Sequence, residues 1–301
     1  MLDERGLVAG AYLQHLSDED LRLLVSGAPE LVRGEDPVRT LRSDPAPVLE
    51  LLSRASSFSL VFPEEGARQP LLPASPFLVF AVAVHETQAE LMQASYVTEW
   101  LGPQHRTPVF EVTELREFLA SPLRRLFLSE LLASYTHISS GSVLVPTRRG
   151  LRRRRFSELD PVRLAELLEF VSAAERPGVL RRLGDLALFL TGVFPDHTAT
   201  HGISPLEQGR LLRSGHLRSS GASEAPSIPG FGDSSAVALL ERLGRRWYQL
   251  AHESLPRPVP ADLRILGELP ERFGEARKIL NVLTDRYLFP FRQQWFGFGG
   301  G

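Results

Sequence analysis

The chain of 301 residues has no cysteine and a single lysine, Lys278. The first absence removes disulfides, thiolate zinc sites, iron–sulfur clusters and cysteine nucleophiles, and it fits a reducing compartment. The second, against arginines throughout, reads first as the codon bias of a GC-rich bacterial genome and only then as selection for guanidinium chemistry. Long apolar runs are also missing. The longest clean one, Phe77 to Val84, falls well short of the roughly 20 residues a bilayer span needs, so no membrane partner is expected. The start, MLDERGLVAG, is acidic and lacks the basic, then apolar, pattern of a secretory signal. The expectation is a cytoplasmic protein. An excess of one charge is absent as well: the formal net charge is −2, so attraction to a polyanion has to come from a local patch.

Several motifs that carry chemistry fail on inspection. No G-x-x-x-x-G-K-[ST] phosphate loop and no G-x-S-x-G nucleophile elbow occurs. "HETQA" begins like a metalloprotease helix, but Ala89 stands where the second histidine belongs; "HESLP" fails in the same way and runs into a proline. "GFGDSS" (230–235) follows a Pro/Ser-rich stretch rather than a strand, and Asp233 would repel phosphate there. Asp233 suits the N-cap of the next helix better.

What remains is hydrophobic content of 43%, ample for a packed core, distributed in a mostly helical pattern. We expect a mostly α (α+β) protein. Residues 1–156 form a mixed half with short helices, short strands and a basic β-hairpin; residues 157–301 form a helical bundle with a mobile loop at 213–230 and an aromatic tail. "SDEDLRLLVSG" has a capping serine, acids in its first turn and a glycine stop. "FLVFAVAV" (77–84), short and partly β-branched, predicts a strand, "ETQAELMQASYV" a helix, and "TPVFEV" (107–112) a second strand. "TELREFLA" and "SPLRRLFLSELLASYT" predict two helices, the second buried over most of its circumference. "GSVLVPTRRGLRRRRFSELD" predicts a hairpin, with Ser142–Thr147 going out and Arg152–Phe156 returning. Two helices followed by a hairpin are winged-helix-like in topology. Four helices then predict the bundle, with Pro270 kinking or splitting the last.

Three groups of residues are candidates for function. The first is the arginine block Arg148, Arg149, Arg152, Arg153, Arg154 and Arg155, whose guanidinium forks could take phosphate or nucleic acid. Strand alternation would put only half of the return strand's arginines on one face, Glu158 and Asp160 could neutralise some, and a basic edge also discourages strand aggregation. The second is Asp185 in the otherwise apolar "LGDLALFLTGVFPDH". A buried carboxylate must bind a proton or find a cation; Arg181 and Arg182 lie one turn back, and Arg245 and Arg246 sit on a neighbouring helix. The expectation is a structural ion pair of Asp185 with Arg245 and Arg246, with Gly184 and Gly192 admitting a second helix. The third is the tail, in which Trp295, Phe296 and Phe298 either fold back on the bundle or anchor a protein partner. "DHTATH" spaces His197 and His201 as a helical metal pair, but Pro195, Gly202 and Pro205 favour a loop, so no metal and no cofactor is expected.

Gly184, Asp185, Gly192, Phe194, Pro195 and the later Trp247-Tyr248 resemble a pattern in a functionally uncharacterised bacterial family, over about a third of the chain. The resemblance implies no site and no activity. The functional expectation is a non-enzymatic regulatory or adaptor protein, contacting nucleic acid through the arginine hairpin and engaging a protein partner or a second copy of itself. The alternative is an enzyme of unknown chemistry with a pocket between the halves near Asp185, for which His197 and His201 are further candidates.

Overall fold

The computed structural model describes residues 4–62, 74–102, 105–110, 112–136, 140–147, 150–157, 159–215, 236–288 and 296. It is mostly helical, and among these residues no helix is long and apolar enough to cross a membrane. Two compact units divide the chain discontinuously: Met1–Val97 with Val109–Thr136 and Val282–Gly301, and Thr98–Pro108 with His137–Asn281. The single break expected after residue 156 falls inside the second of these.

The first unit is helical. Its elements are α1 (Glu4–His15), α2 (Asp18–Gly27), α3 (Pro37–Ser43), α4 (Val48–Leu52), α5 (Ala55–Val61), α6 (Pro76–Gln93), α7 (Thr113–Ala120) and α8 (Pro122–Ser134), closed by a π-helical turn Thr284–Leu288. A capping box starts α2, with Ser17 and Asp20 each accepting from the other's backbone N–H. Asp20 is fully buried and also accepts from the N–H of Ser75, the N-cap of α6. One carboxylate thus fixes two helix starts. Arg125, buried in α8, donates to the carbonyls of Leu119 and Ala120 at the end of α7, where the helix dipole favours a cation.

Helix α6 is the centre of this unit, and it overturns the expected strand at 77–84. Every residue from Phe77 to His85 is buried, so the run has no polar face and no period to separate a helix from a strand. The deciding signals are at its start: Ser75 accepts from Leu78 N–H, and Pro76 occupies the first turn, where a missing N–H is harmless. The helix ends at Gln93, earlier than expected. A strand, β1 (Val97–Gly102), follows, and its partner β2 (His105–Val109) begins ahead of the expected 107–112.

The second unit contains most of β1 and β2, the hairpin β3 (Ser140–Thr147) and β4 (Gly150–Ser157), α9 (Pro161–Glu166), α10 (Arg176–Val193), α11 (Pro195–Thr200), α12 (Pro205–Ser214), α13 (Ala236–Glu253) and all but the end of α14 (Ile265–Leu283). The helix expected to fill 160–175 stops at Glu166 and gives way to a 3₁₀ turn. Pro270 lies inside α14 without splitting it. Because α7 and α8 belong to the other unit, the winged-helix likeness is one of element order. The expected loop at 213–230 meets the end of α12 at Ser214, and residues 216–235 lie outside the described ones.

Glycines set how closely α10, α13 and α14 approach. A Cβ on Gly184 would come within 2.8 Å of the Tyr248 ring, one on Gly192 within 2.7 Å of Leu280 Cβ, and one on Gly244 within 2.5 Å of Phe273 and 2.9 Å of Ala187 Cβ. Asn281 donates to the carbonyls of Thr191 and Gly192, satisfying the end of α10. Charge fastens β1 to the same helices: Glu99 lies between Arg277 (3.5 Å) and Lys278 (3.2 Å), and Arg277 reaches on to Glu241 (3.1 Å).

Candidate functional site

The hairpin exists in the expected place, slightly longer than expected. Its register pairs Ser142 with Arg155, Val143 with Arg154, Leu144 with Arg153, Val145 with Arg152 and Thr147 with Gly150. Antiparallel partners share a face and successive residues alternate. Arg153 and Arg155 therefore occupy positions on one face and Arg152 and Arg154 on the other. Arg148 and Arg149 fall between the paired Thr147 and Gly150 in sequence and lie outside the described residues. The sheet holds these two strands alone among the described residues. Asp160, one of the two expected counter-charges, is used elsewhere: its carboxylate caps α9 through the N–H groups of Val162 and Arg163 and pairs with the Arg163 side chain at 3.1 Å.

Asp185 is buried, as expected, but its partners differ. Its Oδ1 accepts from the Tyr248 hydroxyl at 2.8 Å, and Arg181, one turn back on α10, stands 3.8 Å from Oδ2. Arg245 instead pairs with Glu241, donates to the Pro270 carbonyl and lies over the Phe273 ring, while Arg246 reaches Glu253. The physical reason is the close contact at Gly184. It brings Tyr248 down onto α10, so the phenol reaches the carboxylate directly, while Arg245 and Arg246 pair with acids of α13 itself.

His197 and His201 are brought together on a helix. Pro195 serves as the first residue of α11 rather than a breaker, and the chain stays helical until His201, whose N–H donates to the His197 carbonyl at 2.9 Å. The two imidazoles stack with centroids 4.0 Å apart and an interplanar angle of 19°. Burial and the neighbouring His201 both lower the pKa of His197 below its ordinary value. Asp196 accepts from Trp100 Nε1 at 2.6 Å and from Arg106 at 3.4 Å, tying α11 to the β1–β2 pair.

One polar cluster was not anticipated. His85, fully buried in α6, lies 2.7 Å from Ser53 Oγ through Nδ1 and 3.3 Å from the Tyr12 hydroxyl through Nε2. Ser53 Oγ also donates to the Leu49 carbonyl. Since a hydroxyl has one proton, Nδ1–H donates to Ser53 and Nε2 accepts from Tyr12, which defines a neutral imidazole. Burial, and then the Arg125 charge, hold His85 well below its ordinary pKa, and burial raises Tyr12 above its own. The partners are 32 and 73 residues away in sequence, so only the histidine closing an apolar run could have signalled them.

In the tail, Phe296 is buried and stacks on Phe80 of α6 at 5.7 Å, so it folds back onto the first unit's central helix. A ring buried in this way offers no anchor to a partner. Trp295 and Phe298 lie outside the described residues. No protein-family model matches the chain, and no curated protein or solved structure matches it.

Proposed function

We propose that the chain is a non-enzymatic regulatory or adaptor protein that contacts nucleic acid through the β3–β4 hairpin. The register carries this reading: it gives each face of the return strand two arginine positions, with Arg148 and Arg149 close before them in sequence. Guanidinium groups bind phosphate oxygens bidentately, and a two-stranded ribbon fits the major groove of a duplex, about 12 Å wide. Eight residues per strand make a ribbon of about 26 Å, long enough to follow a groove over several base pairs. The use of Asp160 in capping α9 supports the reading, because it leaves the arginine strand one competing carboxylate fewer. The enzyme alternative has a weaker basis: its candidate acid, Asp185, is held by a tyrosine and an arginine in a helix contact.

The test is binding of the full chain to a generic duplex across a salt series. Arg148, Arg149 and the arginines of one face give four phosphate contacts, hence a slope of log K against log salt of about −3.6. Replacing Arg152 and Arg154 by Gln, or Arg153 and Arg155, should identify the bound face: one pair flattens the slope by about 1.8 and the other leaves it unchanged. Undetectable binding at low salt, or a slope unaltered when all six arginines are replaced, would sink the proposal.

A further inference from the structure

We propose that His197 and His201 form a two-imidazole chelate for a borderline divalent transition metal, the class comprising Cu²⁺, Ni²⁺ and Zn²⁺. Three observations carry it. Both side chains are exposed, in an i, i+4 arrangement that the helix enforces, with ring centroids 4.0 Å apart. Two nitrogens on one tetrahedral metal lie roughly 3.3 Å apart, given metal–nitrogen bonds of about 2.0 Å, so the exposed rings would turn out of their stack to bring one nitrogen of each to a common ion. The second observation is the outer contact of His201. Its Nδ1 lies 3.1 Å from the His197 carbonyl oxygen, so Nδ1–H donates there and Nε2 carries the lone pair. A ring N–H donating to a backbone carbonyl is the usual support for a ligating histidine, because it fixes both tautomer and ring plane. The third is the scaffold. α11 is pinned in its first turn by Asp196 accepting from Trp100 and further along by Thr198 donating to the Leu190 carbonyl, so the pair is presented by a held element.

Among the described residues no third His, Asp or Glu completes a larger cluster. Water would fill the other positions, and imidazole donors place the ion in the nickel–copper–zinc class rather than with magnesium or calcium. Neutral imidazole is the binding form, so affinity should fall as the pH drops. Nothing in this site depends on the hairpin or on nucleic acid.

The experiment is calorimetric titration of the full chain with Ni²⁺, and separately with Zn²⁺, in a non-chelating buffer at pH 7.5. Parallel titrations use His197→Gln, His201→Gln and the double variant. Because both side chains are exposed, unchanged circular dichroism is expected and is checked. The expected result is one 1:1 site that weakens about 100-fold or more in either single variant, as a chelate does on losing one arm. Cu²⁺ should broaden the ring resonances of these two histidines before those of the other six in the chain. A 1:1 site that survives in the double variant, broadening that starts at other histidines, or no site at all would overturn the proposal.

Discussion

Helices α6 and α10 hold the same position in their respective units, and each carries one ionisable group into the interior: His85 in the first, Asp185 in the second. Both are 18 residues long, both are buried over most of their length, and in both a tyrosine hydroxyl from another helix meets the polar group. They differ in how that meeting is arranged. α6 is lined with alanine, valine and phenylalanine and has no glycine along its length. α10 presents Gly184 and Gly192 and is answered by Gly244 of α13, so backbones approach and a ring or a leucine rests on each gap. The neutral His85 is thus met by side chains of ordinary size, whereas the donor to Asp185 reaches it across a contact that Gly184 permits.

The contrast breaks most visibly at the glycines. Gly244→Ala places a methyl 2.5 Å from Phe273 and 2.9 Å from Ala187 Cβ, both on packed helices with no room to withdraw. Overpacking of this kind costs about 3 kcal/mol, and the denaturant midpoint of the second unit should fall accordingly. In α6 the opposite change is the damaging one: Ala81→Gly removes a buried methyl and loosens the helix, at about 1.5 kcal/mol. If Gly244→Ala proves neutral, the close approach is not what holds α10 to α13.

The two tyrosines sharpen the comparison. Tyr248→Phe removes a hydrogen bond to a carboxylate and should cost about 2 kcal/mol, whereas Tyr12→Phe removes a longer bond to a neutral imidazole and should cost about 1 kcal/mol. Equal losses in urea titrations of the two variants would remove the distinction between a charged and a neutral partner.

The histidine adds a pH dependence confined to the first unit. Its pKa is depressed in the folded state, so below about 6.5 the unfolded chain takes up a proton that the folded chain refuses. Stability is then full above pH 6.5 and falls by about 1.4 kcal/mol per pH unit below it, until the folded value is reached. His85→Gln should lower stability at pH 7.5 and abolish this component of the slope between pH 6.5 and 5.5. An unchanged slope in that variant would show that His85 titrates normally.

These differences also explain what could be read from the sequence. α10 was legible because its glycines and Asp185 interrupt an apolar run and mark it as a helix contact. The identity of the cation was not, since the choice between Arg181 and Arg245 depends on which side of α13 faces inward. α6 was misread as a strand because complete burial erases the polar face on which periodicity depends. The hairpin was legible from strand-like runs either side of a basic turn. α11 was not, because prolines at 195 and 205, which start helices here, look like breakers when their position within an element is unknown. The site around His85 joins α1, α4 and α6 and has no local signature.

The smallest predicted effect lies next to Tyr248. Trp247 is fully buried in α13, and among the described residues its Nε1 has no hydrogen-bond partner. Trp247→Phe deletes that unsatisfied N–H, a gain of about 1–3 kcal/mol, and leaves a space the size of the missing ring atoms, a loss of similar size. The two nearly cancel, so the denaturant midpoint should move by less than about 1 kcal/mol in either direction. Adjacent positions on one helix would then differ because one polar tip is satisfied and the other is not. A loss above about 3 kcal/mol would mean that the indole's volume dominates, and that α13 is held by bulk at Trp247 as firmly as by the glycine contacts on its other turns.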